Sequence, residues 1–318
     1  MIMSPSPQDP AEARRRLPPD ARIAQFRAAG GWPIRRLTLL PAGTPRGSIL
    51  FAGGRGDFIE KYLETLLHWR AGGWTVQSFD WRGQGLSGRI LPGSDLGHVD
   101  SFAPWIADLG ALVADWRATM PAPYILAGHS TGGHLVMRHL AAHPADCDAA
   151  VIVAPLLGLG RGLMSDGLIA RIAAWMVRHG RGRGHAWGQG GTPSEARRQR
   201  ALTTCPERFS DEGWWWQQQP AFRLGGASWG WIAAALESIA ELTRPGVLEG
   251  LTTPALFLAA EDDPVVSTRA IRRVVSRLSH ARSVFYPGAR HELLRESDSI
   301  RQAVWQEIDS FIGGFAAQ

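Results

Sequence analysis

Gly128-His129-Ser130-Thr131-Gly132 reads as a strand-to-helix turn with a serine at its apex. The apolar run Tyr124-Ile125-Leu126-Ala127 before it has the character of a buried strand. Gly133, His134, Leu135, Val136, Met137 and Leu140 after it read as a helix. A G-x-S-x-G turn of this kind crowds its own backbone, and Gly128 and Gly132 let it close. The arrangement predicts that Ser130 Oγ projects above the carboxyl end of the strand. The N–H of Thr131, at the start of the helix, would point at any oxyanion formed there. The plain alternative is a glycine-rich turn without chemistry, so partners elsewhere in the chain decide between the two.

The chain has 318 residues, of which 45% are hydrophobic and 20% charged, a composition that suits an α/β domain with an insertion. No run of apolar residues is long enough for a membrane span. Residues 1–22 hold five prolines and no apolar signal segment, so they read as a flexible lead-in, and a cytoplasmic location is expected. Cys147 and Cys205 are far apart and fit neither a disulfide framework nor a metal spacing. The net charge is +5, and Lys61 is the only lysine among 34 basic residues. No nucleic-acid recognition motif accompanies the charge, so no nucleic-acid partner is expected.

Two strands are expected over residues 34–40 and 47–53, the second a continuous apolar run ending in Gly53-Gly54-Arg55-Gly56-Asp57. Asp57 and Glu60 fit a capping box, which predicts a helix starting there. The glycine loop lacks the spacing of a dinucleotide fingerprint and the Lys-Ser/Thr of a P-loop. With Ser130 to serve, it reads as the second half of an oxyanion hole. Another strand, residues 74–80, leads into Trp81-Arg82-Gly83-Gln84-Gly85-Leu86-Ser87-Gly88, at a sheet edge where α/β folds bind ligands. Asp80 and Arg82 read as a charged pair bracing that loop, and His98 as a loop-organising histidine. His134, His139 and His143 lack the carboxylate or cysteine that would complete a metal set, so no metal is expected.

Over residues 156–226 the alternation of strand and helix stops, and arginine, glycine and tryptophan dominate. A long insertion between core strands is where a lid sits. Its Trp175, Arg178, Arg181, Arg183, Trp187, Arg197, Arg198, Arg200, Trp214, Trp215 and Trp216 have two readings. They pack and solvate the insertion, or they meet an anionic, acyl-bearing surface at the inner membrane. The core then resumes over 227–318, completing the part laid down by 23–155. It contains a helix over 229–242, a strand over 254–260, a helix opened by Ser267, a strand over 283–286 and a closing helix from about 297 to 311.

A serine hydroxyl needs a base, and the base needs an orienting acid. Here Ser130, an acid at Asp262 or Asp263, and His291 each follow an apolar strand, in the chain order nucleophile, acid, histidine. Asp263 is preferred because it stands at the turn before Pro264, with Asp262 as the fallback. Glu292 is adjacent to the histidine and reads as a loop brace.

These stretches carry a resemblance. Gly54-Arg55 with Lys61-Tyr62, Asp80 to Gly88, Gly97-His98-Val99-Asp100, Gly128 to Gly133, and Arg290-His291-Glu292 resemble the lysophospholipase and monoacylglycerol lipase family of α/β-hydrolases, most of all its lysophospholipase L2 type. The resemblance implies an α/β-hydrolase fold: a mostly parallel sheet flanked by helices, with a helical cap. It implies Ser130, Asp263 and His291 as catalytic residues, the backbone N–H groups of Arg55 and Thr131 as oxyanion donors, and no cofactor. The implied substrate is a single-acyl-chain glycerolipid ester. The chain departs from the pattern at Gly53, where lipase relatives often carry histidine, and at Ala260, where glycine is commoner. The expected activity is therefore carboxylic ester hydrolysis. An aminopeptidase or thioesterase on the same fold, and a non-catalytic lipid-binding protein, are the alternatives.

Overall fold

The computed structural model describes residues 10–160, 164–188 and 195–316. Its centre is an eight-stranded sheet in the order β1-β2-β4-β3-β5-β6-β7-β8. The strands are β1 (Arg22–Arg27), β2 (Pro33–Leu39), β3 (Ser48–Ala52), β4 (Thr75–Phe79), β5 (Tyr124–His129), β6 (Ala149–Val153), β7 (Ala255–Ala260) and β8 (Ala281–Tyr286). β1 and β2 are antiparallel to their neighbours, and the six strands from β4 to β8 run parallel.

Every residue of β3, β4, β6 and β7 is buried, as expected of strands covered on both faces. Ten helices are described: α1 (Pro10–Arg14), α2 (Leu63–Ala71), α3 (Ala103–Thr119), α4 (Thr131–Ala142), α5 (Asp166–Arg178), α6 (Glu195–Leu202), α7 (Pro206–Gln218), α8 (Trp229–Leu242), α9 (Thr268–Val275) and α10 (Asp298–Gly313). Leu50, Leu126, Ile152 and Phe257 pack one sheet face against α3, α4, α8 and α9. Ile49, Phe51, Val151 and Leu258 pack the other face against α2 and α10. Ser267 caps α9 as expected, accepting from Ala270 N.

The chain builds outward from β3 to β4, then returns to the other side of β3 with β5. The carboxyl ends of β3 and β5 therefore flank the point where strand order reverses, where α/β sheets leave a crevice for ligands. Ala52 of β3 lies beside Gly128 of β5 at that end.

The expected capping box at Asp57 is not formed. Phe58 occupies the cap position of a 3-10 turn, Ile59–Tyr62, that precedes α2, and no side chain caps it. Asp57 instead accepts from Gly54 N at 2.6 Å, and Glu60 pairs with Arg35. Of the lead-in expected over residues 1–22, residues 1–9 lie outside the described residues. The rest includes α1, whose last residue Arg14 and the next, Arg15, are bound to Asp211 of α7. The expected insertion falls between β6 and α8 and carries α5, α6 and α7. Among the described residues no helix is long and apolar enough to cross a membrane, and no group of three or more His, Cys, Asp or Glu could hold a metal ion.

Candidate active site

Ser130 sits between β5 and α4 with φ 53° and ψ −118°, a conformation rarely tolerated by a residue with a side chain. Its N–H donates to Val153 O at 2.9 Å, and its carbonyl accepts from Leu156 N and His134 N, both at 3.0 Å. These bonds fix the turn from both sides. Gly132 meets the end of β3 so closely that a Cβ there would lie 2.2 Å from Ala52 O. A Cβ on Gly128 would lie 2.8 Å from the Gly132 backbone. Only glycine lets the helix start press against β3 in this way.

That contact brings the loop after β3 beside the serine. A Cβ on Gly54 would lie 2.9 Å from Ser130 Cβ. Arg55 and Thr131 both line the cavity that holds Ser130. Thr131 is the first residue of α4, so its N–H has no partner within the helix.

His291 comes from the loop after β8 and Asp263 from the loop after β7. His291 Nε2 lies 2.9 Å from Ser130 Oγ, and His291 Nδ1 lies 2.8 Å from Asp263 Oδ2. The other carboxylate oxygen of Asp263 accepts from Val265 N at 2.7 Å and Val266 N at 3.0 Å. All three side chains are buried. Burial opposes the charged form of His291, but the carboxylate of Asp263, together with those of Glu292 and Asp57, outweighs it and raises the imidazole pKa. Burial likewise opposes ionisation of Asp263, but the imidazole and the two backbone donors hold its pKa below the usual range.

Behind this chain lies a buried ion cluster that sequence reasoning missed. Lys61 Nζ contacts Asp57 Oδ1 at 2.7 Å, Glu212 Oε1 at 3.0 Å and Glu292 Oε1 at 2.7 Å. Arg295 also pairs with Glu292, and Arg198 with Glu212. Burial resists ionisation of Glu292, but Lys61 and Arg295 bring its pKa down to about 2. Asp57 in turn meets His129 Nδ1 at 3.1 Å and the Tyr62 hydroxyl at 3.1 Å. The cluster ties the loop after β3, the His291 loop and α7 to one ammonium. Its only sequence signal is that Lys61 is the sole lysine.

The remaining candidates act as braces. Asp80 binds Arg35 and accepts from Ile59 N at 2.9 Å and Leu86 N at 2.9 Å. Arg82 instead pairs with Asp108 at 2.7 Å. The two were expected to pair with each other, but each fixes the loop through a different element. His98 joins Ser228 Oγ at 2.8 Å to Asp100 at 3.1 Å. Glu292 braces its loop through Lys61. Cys147 and Cys205 are free and buried.

Ser130 and His291 open into a cavity of about 560 Å³, within the range of small-molecule sites. Leu156, Leu159, Val265 and Val266 line part of it, and Arg197, Arg198, Trp216, Arg223 and Leu224 of the insertion line another part.

Residues 43–298 match the protein family described as serine aminopeptidase, S33. The chain belongs to this family. It is 33% identical over 279 residues to lysophospholipase L2 of Escherichia coli K12, covering 83% of this chain and 79% of that protein. It is 26% identical over 293 residues to a monoacylglycerol lipase of Mycolicibacterium smegmatis, covering 90% and 95%. The structure of a soluble variant of monoglyceride lipase from Saccharomyces cerevisiae, in complex with a substrate analogue, superposes with a TM-score of 0.76. That match covers 99% of this chain and 100% of the yeast chain at 15% identity, which is a likeness of fold. The chain is thus an α/β-hydrolase that resembles lysophospholipases and monoacylglycerol lipases.

Proposed function

We propose that the chain is a cofactor-free carboxylic ester hydrolase acting on a glycerolipid with one acyl chain. The observation that carries this reading is the hydrogen-bonded series Ser130–His291–Asp263 at the base of a cavity with an apolar stretch. Ser130 Oγ attacks the ester carbonyl while its proton passes to His291 Nε2. The backbone N–H groups of Arg55 and Thr131 receive the developing oxyanion. Collapse expels the alcohol, which takes the proton from His291. Water then attacks the acyl-enzyme as His291 takes its proton, and the fatty acid leaves while His291 returns that proton to Ser130 Oγ. Asp263 holds the imidazole in the tautomer that accepts from serine and stabilises its cation.

The insertion acts as the cap of the site. The exposed side of α5 carries Leu168, Arg171, Trp175 and Arg178, which supports peripheral contact with an anionic lipid surface. An aminopeptidase reading needs carboxylates able to hold a substrate ammonium. The three in the cavity wall, Asp57, Glu212 and Glu292, are already held by Lys61. This favours the ester. Fatty-acid release from lysophosphatidylcholine and from monoacylglycerol, by wild type beside Ser130→Ala, tests the reading. Release by wild type alone supports it, and equal release by both removes Ser130 from the chemistry.

A further inference from the structure

Arg55 brings a positive charge into the cavity wall without a counter-charge. Its Nη2 donates to Gly225 O at 2.6 Å, and its guanidinium lies 5.4 Å from the Trp231 ring centroid. Its Nε is buried without a hydrogen-bond partner, and no carboxylate of the described residues pairs with it. Burial alone lowers its pKa to about 10. Lys61 and Arg198, in the same wall, are both bound to carboxylates. A desolvated guanidinium without an anion is costly, and an anion entering the cavity relieves that cost through charge-assisted hydrogen bonds.

A second arginine stands nearby. The segment leaving the insertion crosses the loop that carries Arg55: Leu224 Cβ lies 3.8 Å from the position of a Cβ on Gly56. Arg223, one residue earlier, lines the cavity, is exposed, and has the Trp216 ring 5.9 Å away. No carboxylate of the described residues pairs with it either.

Sheet order places the apolar wall elsewhere. Arg55 follows β3, and Val265 and Val266 follow β7, on the other side of β5 and therefore of Ser130. Leu159 bridges to Val266 there. The nucleophile stands between a cationic region and an apolar one.

We propose that Arg55 and Arg223 form a subsite for the phosphate of a single-chain phospholipid. The acyl chain lies along Leu156, Leu159, Val265 and Val266. The phosphate subsite selects a lysophospholipid over a neutral monoacylglycerol of the same chain. This rests on the reading of Ser130 as an ester-cleaving nucleophile. The Arg55 guanidinium, held against Gly225 O and the Trp231 ring, is the group that meets the phosphate. The side chain of Arg55 thus acts separately from its backbone N–H.

The test compares kcat/KM for 1-oleoyl-lysophosphatidylglycerol and 1-oleoylglycerol, at equal mole fraction in neutral micelles. The ratio cancels any general loss of catalysis. Wild type should favour the phospholipid, and Arg55→Met should lower the ratio about tenfold or more. Arg223→Gln, an exposed change that spares the fold, should lower it about threefold. An unchanged ratio in both variants overturns the subsite while leaving the hydrolase reading intact.

A binding arm uses Ser130→Ala protein with decyl phosphate and decyl maltoside below their micelle concentrations. Adding Arg55→Met should weaken decyl phosphate about tenfold and leave decyl maltoside unchanged. That result without lipid hydrolysis by wild type would keep the subsite and discard the hydrolase. Equal weakening of both ligands overturns the subsite. Displacement of decyl phosphate by inorganic phosphate at equal concentration overturns the lipid assignment in favour of a free-phosphate site.

Discussion

Asp263 Oδ2 accepts from His291 Nδ1 at 2.8 Å, and the proposed mechanism gives this aspartate, of the two adjacent ones, the task of orienting the histidine. Asp263→Asn preserves shape but favours the wrong imidazole tautomer. It should lower kcat about 10⁴-fold with little change in stability. Steady-state kinetics with a chromogenic ester, beside a thermal melt, checks both parts. A loss below tenfold would remove Asp263 from the mechanism.

The same carboxylate raises the His291 pKa, and only neutral imidazole can accept the Ser130 proton. Activity should therefore rise with pH through a midpoint above that of an ordinary imidazole, ~6.5. The acid limb of kcat/KM measures that midpoint directly. In Asp263→Asn the main raising influence is gone, so the residual activity should have its acid limb at lower pH. A wild-type midpoint below the ordinary value contradicts the geometry.

Gly54 has no room for a side chain: a Cβ would lie 2.9 Å from Ser130 Cβ and 3.0 Å from Asp57 Oδ2. Gly54→Ala should push the Arg55 N–H away from the serine and lower kcat about 10²-fold, the scale of losing an oxyanion donor. KM for a short ester should change less than kcat. A variant with full kcat would show that this loop does not serve the oxyanion.

Lys61→Met should destabilise the fold by about 3–5 kcal/mol at pH 7, because it strips a buried ammonium from three carboxylates. Burial disfavours ionisation of Glu292 and Asp57, yet Lys61 and its neighbours hold both pKa values low, Glu292 at about 2. Groups with lowered pKa lend stability above their unfolded values, and it fades as pH falls toward the folded ones. The deficit of Lys61→Met should therefore shrink at acid pH, where the stranded carboxylates take up protons. Urea unfolding at neutral and acid pH checks this, and a deficit that grows on acidification contradicts it.

The positions of Ser130, Asp263 and His291 were legible because each follows a strand that the sequence shows, fully buried for β7 and nearly so for β5, and carrying the apolar Val284-Phe285-Tyr286 at the end of β8. Order along the chain then carries them to one sheet edge. β1 was not legible: nearly all of its residues are exposed, so it has no buried period to read. The capping box at Asp57 failed because a nearby backbone N–H and Lys61 competed for the carboxylate. The Lys61 cluster joins residues as distant as 61 and 292, a relation that only the tertiary fold creates. Arg223 and Trp216 reach the cavity from an insertion without strand–helix alternation, so their shared wall had no pattern in the sequence.

The reaction of the protein with a fluorophosphonate probe, wild type beside Ser130→Ala, is the most direct test of a serine nucleophile. Labelling of wild type, its loss in Ser130→Ala, and one modified peptide containing Ser130 are the expected result. A folded wild type that stays unlabelled, or labelling that persists in Ser130→Ala, would contradict it.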